Sequence, residues 1–113
     1  MVVDDDPTIR QIISETLLDE GYDVVTAPDG RAALARAQDH PPAVILLDYQ
    51  MPGLDGPRFV QAYRQLPAPH APIVLITAGV SAQQRAAEVG ADAYLGKPFE
   101  LDALVDLVER YAA

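Results

Sequence analysis

The sequence predicts an α/β fold in which five parallel strands alternate with five helices. Three observations carry this. The apolar runs Ala43-Val44-Ile45-Leu46-Leu47 and Ile73-Val74-Leu75-Ile76 are continuous rather than alternating, as expected of strands covered on both faces. Stretches with helical apolar spacing and their own start and stop signals separate the runs. The run closing on Asp48 passes straight into Tyr49-Gln50-Met51-Pro52-Gly53-Leu54-Asp55-Gly56, where one Pro and two Gly break any regular pattern.

Val2-Val3 opens the first strand, which reads as clipped because only Met1 precedes it. The first helix carries Ile9, Ile12, Ile13, Thr16 and Leu17 on one face, with Leu18 off that stripe. Asp6 or Thr8 serves as its cap, with Pro7 tolerated in the first turn. Gln11 stands where a capping box with Thr8 requires it, and Gly21 ends the helix. Asp23 to Ala27 is a β-branched second strand, and Asp29 to Asp39 an Ala-rich helix stopped by Pro41-Pro42. The third strand ends at Asp48, and a third helix from Pro57 to Leu66 gathers Phe59, Val60, Tyr63 and Leu66 on one side. Pro67, Pro69 and Pro72 then forbid helix, and Ile73 to Ile76 is a fourth strand ending at Thr77. The fourth helix, Ser81 to Val89, has a capping-box pattern in Ser81 and Gln84. It has few large apolar residues, which predicts the least firmly packed helix. Ala93-Tyr94-Leu95 is a short fifth strand. The last helix sets Leu101, Leu104, Val105, Val108 and Tyr111 against Asp102, Asp106 and Glu109, with Leu107 at the border of the apolar face.

Right-handed crossovers between such strands produce a doubly wound, three-layer sheet of the flavodoxin-like (βα)5 kind. Order 2-1-3-4-5 is the common solution at this size. The switch point then falls between the first and third strands, so Asp4, Asp5 and Asp48 meet in one crevice, with Thr77 and Lys97 on the same edge. Polar groups from four of five strands converge there, and the second strand, at the sheet edge, contributes none.

The chain of 113 residues suits one domain, residues 1-113, around one core, and 50% hydrophobic content excludes a disordered segment. No apolar run approaches a membrane span, and the first residues lack the basic and apolar regions of a secretory signal. The absence of cysteine excludes disulfide and thiolate chemistry and fits a reducing cytoplasm. A net charge of -9 argues against a nucleic-acid surface on this chain. Solubility accounts for most of the 17 acidic residues, but three adjacent ones, Asp4-Asp5-Asp6, repel one another and invite a cation. Seven of the eight basic residues are Arg; the single Lys, Lys97, is a compact and flexible point charge.

Carboxylates facing one another without His or Cys make a hard, oxygen-only site suited to Mg²⁺, and a carboxylate in such a site is also a nucleophile toward phosphorus. Phosphoryl transfer asks the protein chiefly for positioning and charge neutralisation, which Lys97 and the Thr77 hydroxyl can provide. Taken singly, each residue has a plainer reading: Asp48 as a turn former, Asp6 as a helix cap, Thr77 as an ordinary strand end, Lys97 as a solvated charge, Tyr94 as a packed strand aromatic. Their joint placement at four strand ends favours a working site.

Four motifs in order, Val-Val-Asp-Asp-Asp-Pro, Leu-Leu-Asp-Tyr-Gln-Met-Pro-Gly-Leu-Asp-Gly, Ile-Thr-Ala and Gly-Ala-Asp-Ala-Tyr-Leu-Gly-Lys-Pro-Phe, resemble the receiver domain of two-component response regulators from Val2 to about Tyr111. That resemblance implies a switch that takes a phosphoryl group from a histidine kinase or phosphotransfer protein onto Asp48. It implies Mg²⁺ held by Asp5, Asp48 and the Gln50 backbone carbonyl, with Asp4 acting through water. Lys97 would contact the phosphoryl oxygens, Thr77 would move toward them, Tyr94 would turn inward, and the Lys97-Pro98 peptide would be cis. The readout would be the face of the fourth helix, fifth strand and fifth helix, offered to a downstream protein or to a second phosphorylated copy, in a bacterial cytoplasm. Gln50 and Gly79 occupy positions that tune phosphate lifetime in the family. The stretch from Thr77 to Lys97 is a couple of residues shorter than in many members, which bears on the fourth helix and the effector face.

Two other readings stay open. One is a phosphate-independent pseudo-receiver, a pure interaction module. The other is a Mg²⁺-dependent phosphatase with an Asp nucleophile, against which Gln50 stands where such hydrolases carry a second Asp. With no output domain on this chain, the expectation is either a single-domain regulator that modifies only itself or a piece of a longer protein.

Overall fold

A computed structural model describes residues 1–78 and 81–112 of the chain. The elements run β1 (Val2–Val3), α1 (Pro7–Asp19), β2 (Thr26–Ala27), α2 (Gly30–Asp39), β3 (Ile45–Asp48), α3 (Gly56–Arg64), β4 (Ile73–Ala78), α4 (Ala82–Val89), β5 (Ala93–Lys97) and α5 (Leu101–Ala112). All strand pairs are parallel, as the alternation of runs predicts, and their order is β2-β1-β3-β4-β5, the common solution at this size.

Successive residues of a strand point to opposite faces, and the two hydrophobic cores follow that period of two. Val3, Ile45, Leu47, Ile73 and Leu75 face Ala33 and Ala37 of α2, Phe59, Val60 and Tyr63 of α3, and Ala86 of α4. Val2, Leu46, Val74 and Ile76 face Ile13 and Leu17 of α1 and Leu104 and Val108 of α5. Each fully buried aliphatic or aromatic side chain contributes roughly 1.5–3 kcal/mol, so the central strands hold both layers together. Among the described residues no helix is long and apolar enough to cross a membrane.

Local signals decide most helix starts. Asp6 caps α1 by accepting from the Thr8 and Ile9 amides, Asp29 caps α2 through the Ala32 amide, and Asp55 caps α3 through the Arg58 amide. Neither anticipated capping box forms. Gln11 pairs with Glu15 instead, Ser81 makes no side-chain cap bond, and Gln84 turns to Glu88. A partner one turn further along the helix satisfies each amide side chain without bending the first turn.

Other expectations need correction. β2 is two residues long rather than five, because its only neighbour, β1, pairs no further than Val2 and Val3. Ile12 and Leu101 are exposed, lining a surface depression shared by α1, α5 and the Pro98–Phe99 segment rather than entering the core. β5 extends to Lys97, and β4 extends past Thr77 to Ala78. The buried residues of α4 are two alanines, Ala82 and Ala86, and α2 likewise buries only Gly30, Ala33 and Ala37, so small residues do not single out α4.

Candidate functional site

In a parallel sheet every strand ends on the same edge, so strand-end residues from distant parts of the sequence become neighbours. Asp4 follows β1, its amide bonded to the Ala27 carbonyl across the β1–β2 pair. Asp48 is the last residue of β3, in register with Ile76, and Thr77 is the next residue on β4. Lys97 closes β5 in register with Ala78. The result is a cleft of about 280 Å³ lined by Asp4, Asp5, Asp48, Gln50, Thr77 and Lys97, among others.

Within it, the Lys97 ammonium donates to Asp48 Oδ1 at 3.2 Å and lies 3.8 Å from Asp4 Oδ2. Carboxylate oxygens of Asp4, Asp5 and Asp48 all fall within 4.8 Å of one another. Asp4 Oδ1 accepts from the Asp6 amide at 2.9 Å, and the Arg10 guanidinium donates to the Asp4 backbone carbonyl at 2.8 Å. Asp4 Oδ2 is buried and has no hydrogen-bond partner among the described residues. An orphan buried oxygen of this kind is costly unless a cation or an ordered water completes it.

Burial pushes the Asp48 carboxyl up to about 6, with the Asp4 charge adding to the rise and Lys97 opposing it. Burial also raises Asp4, against the Asp6 amide bond and the Lys97 charge, which lower it. One ammonium facing three carboxylates leaves the cleft short of positive charge. Hard oxygen donors, no nitrogen or sulfur ligand in the cluster, and the orphaned Asp4 Oδ2 together fit Mg²⁺ better than a softer metal.

The sequence-predicted residues thus come together, with two exceptions. Tyr94 stands on the edge strand with 43% of its surface exposed, so it is neither a packed strand aromatic nor a wall of the cleft. Gly79 lies outside the described residues. The Lys97-Pro98 peptide is cis, as expected. Two guanidinium contacts went unforeseen, those of Arg10 and Arg85. Arg10 reaches back six residues to the Asp4 carbonyl, beyond the start of its own helix, so no helical spacing announced it. Arg85 donates to Thr77 Oγ1 at 2.7 Å and lies over the Tyr49 ring at 4.6 Å. Nothing in the local pattern of α4 announces it, because the contact depends on where the β4–α4 connection sets the helix down.

The loop after Asp48 closes tightly on itself. The Gly56 amide donates to the Tyr49 carbonyl at 3.0 Å, and a Cβ at Gly56 would meet that oxygen at 2.9 Å and the Asp48 carbonyl at 3.1 Å. These are backbone atoms and cannot rotate away. Gly56→Ala is expected to cost about 1–3 kcal/mol, read as a lower thermal midpoint; an unchanged midpoint would show that the loop yields freely.

The family model described as Response regulator receiver domain matches residues 1–109. Response regulator protein FleR of Pseudomonas aeruginosa is 39% identical over 99% of this chain, which covers 24% of FleR. Transcriptional regulatory protein PrrA of Mycobacterium tuberculosis is 40% identical over 96% of this chain, which covers 47% of PrrA. The chain therefore spans between a quarter and a half of the length of these curated relatives. Among solved structures, chemotaxis protein CheY4 of Vibrio cholerae superposes with a TM-score of 0.87 at 41% identity, over 97% of this chain and 94% of that one.

Proposed function

The chain belongs to the response regulator receiver family, and from that premise we propose that it is a phosphoacceptor switch with Asp48 as the acceptor. Receiver domains are signalling switches rather than conventional enzymes, and they work with histidine kinases or phosphotransfer proteins. One observation carries the assignment to Asp48. It is the strand-end carboxylate that a single ammonium contacts at 3.2 Å, in the same cleft as a buried oxygen lacking a partner.

In the proposed step an Asp48 carboxylate oxygen attacks phosphorus, forming an O–P bond as the N–P bond of the donor's phosphohistidine breaks and the imidazole leaves. With its carboxyl pushed up to about 6, Asp48 is mostly ionised at neutral pH and able to attack. Lys97 follows the transferring group, exchanging its bond to Asp48 Oδ1 for the phosphoryl oxygens. The buried Thr77 hydroxyl donates to the same oxygens. Asp5, Asp48 and the Gln50 backbone carbonyl would hold Mg²⁺, with Asp4 reaching it through water. When bound, the ion supplies positive charge against the carboxylates and the incoming phosphoryl group. The added charge of nearly −2 draws Thr77 toward Asp48, and Tyr94, exposed in this structure, turns inward. The signal leaves through the α4-β5-α5 face toward a downstream protein or a second copy.

The test is intact-mass measurement after incubation with Mg²⁺ and acetyl phosphate. The wild-type chain is expected to gain one phosphoryl group, with no gain in Asp48→Asn or when a chelator replaces the metal. A folded wild-type sample that gains nothing refutes the acceptor assignment and favours a phosphate-independent interaction module. Steady release of phosphate from a small phosphoester would favour a phosphatase.

A further inference from the structure

The Arg85 contact is the strongest feature of the molecule that the acceptor mechanism leaves unused. Arg85 sits on the second turn of α4, half-buried, and reaches across to two residues beside the acceptor. Its Nη1 donates to Thr77 Oγ1 at 2.7 Å, and its guanidinium carbon lies 4.6 Å from the centre of the Tyr49 ring. Tyr49 is covalently next to Asp48, and Thr77 is on the neighbouring strand, one residue past the partner of Asp48 in the β3–β4 register. One side chain therefore ties α4 to both strand ends that frame the acceptor.

A hydroxyl has one proton to donate and two lone pairs to accept with. Thr77, 2% exposed, accepts from Arg85 and donates to no protein group among the described residues. Because Arg85 is a permanent cation and occupies a lone pair, it does two things to that hydroxyl. It removes rotamers in which Thr77 would offer that lone pair elsewhere, and it polarises the O–H bond, making Thr77 a stronger donor. The Tyr49 face holds the guanidinium plane in place, so the arrangement needs no carboxylate partner for Arg85.

We propose that Arg85 is a positioning residue for phosphoryl transfer at Asp48: it aims the Thr77 hydroxyl proton into the acceptor cleft and makes the state of that hydroxyl mechanically visible to α4. This rests on the acceptor reading above. The residue touches neither phosphorus nor metal and acts through Thr77. The fully buried residues of α4 are two alanines, Ala82 and Ala86, with Val89 partly buried beside them, so a charge-assisted bond adds to a small apolar contact.

The experiment is a double-mutant cycle on the rate of Asp48 phosphorylation by acetyl phosphate with Mg²⁺. Its four chains are wild type, Arg85→Met, Thr77→Ala and the double variant. Methionine keeps a stem that packs on Tyr49 and removes the donor. Arg85→Met alone is expected to phosphorylate roughly five-fold more slowly, and Arg85→Lys, which restores a donor, to recover most of the rate. In the Thr77→Ala background Arg85→Met is expected to add almost nothing. A generic packing role for Arg85 would slow both backgrounds equally, and that additive result overturns the proposal. So does an Arg85→Met rate equal to wild type, or a failure of Arg85→Lys to recover. A wild type that takes no phosphoryl group refutes the acceptor reading itself and the proposal with it, whereas phosphorylation of wild type with an additive cycle refutes the proposal alone.

Discussion

Lys97→Ala is expected to slow phosphorylation of Asp48 by about 100-fold or more, while Mg²⁺ binds more tightly than to the wild-type chain. The two halves of this result share one cause. The Lys97 ammonium is 3.2 Å from Asp48 and 3.8 Å from Asp4, and it is the only lysine in the chain. In the proposed transfer it would be the protein's own cation against the phosphoryl oxygens, and removing one preorganised donor from such a position typically costs two to three orders of magnitude in rate. In the resting protein the same ammonium repels any divalent ion seeking those carboxylates, so its loss relieves that competition. Its loss also removes an influence that lowers the Asp48 carboxyl, leaving the acceptor less ionised and a weaker nucleophile near neutrality. Lys97→Arg is expected to recover only part of the rate, because a planar fork cannot follow a moving phosphoryl group as a compact ammonium does. Phosphorylation kinetics and Mg²⁺ titration on the same samples check both halves. A Lys97→Ala chain phosphorylated at the wild-type rate would remove Lys97 from the mechanism.

Asp48→Asn is expected to be more stable than the wild-type chain by about 1–3 kcal/mol at pH 7 in metal-free buffer, while under the proposed function it takes no phosphoryl group. The buried carboxylate next to Asp4 strains the fold whenever it is ionised. The sign follows from linkage. The folded-state value of about 6 lies above the ordinary 3.8, so between those values the folded chain holds a proton that the unfolded chain has released. The stabilising contribution of protonated Asp48 is fully present below about pH 4 and is lost as pH rises through about 6. Asparagine removes that loss, at the expense of the Lys97–Asp48 ion pair; Lys97 keeps Asp4 within 3.8 Å. The advantage of the variant should therefore be largest at pH 7 and shrink toward pH 4, and Mg²⁺ should narrow it by stabilising only the wild type appreciably. Thermal melts across that range, with chelator and with Mg²⁺, check it. A variant less stable than wild type at pH 7 would mean that the ion pair outweighs the desolvation and repulsion of the carboxylate.

Function and local stability are thus opposed at this site. The carboxylates that would hold a cation and accept a phosphoryl group under the proposed function are those expected to weaken the fold. Such strain at a working site is expected where several like charges must converge.

Most of the architecture was legible in residue order, for identifiable reasons. Ile45 to Leu47 and Ile73 to Ile76 are buried on both faces and leave an uninterrupted apolar run, the strongest strand signal available. Asp6 announces the first helix because capping involves the next three residues only, whereas Asp29 and Asp55 cap α2 and α3 without having been read as caps. Elements that rely on a neighbour were read less well. The β-branched stretch before Ala27 has strand composition, yet the strand is two residues long because β1 offers it nothing more to pair with. Ile12 fits the apolar stripe of α1 by spacing and is nonetheless 45% exposed, since burial depends on what stands opposite. The capping boxes expected at Thr8 and Ser81 lost to side-chain pairs further along each helix.

The residue order alone determined which groups would meet: strands of one direction deliver their last residues to one edge, so Asp4, Asp48, Thr77 and Lys97 had to be neighbours once the crossover order held. Tertiary structure alone decided how they meet. The 3.2 Å contact of Lys97 with Asp48, the partnerless oxygen of Asp4, the outward Tyr94 and the reach of Arg85 to Thr77 are set by loop lengths, strand registers and the seating of helices. Periodicity records the direction in which a side chain leaves the backbone, whereas contact between side chains is a property of two backbones at once, and no single stretch of sequence contains it.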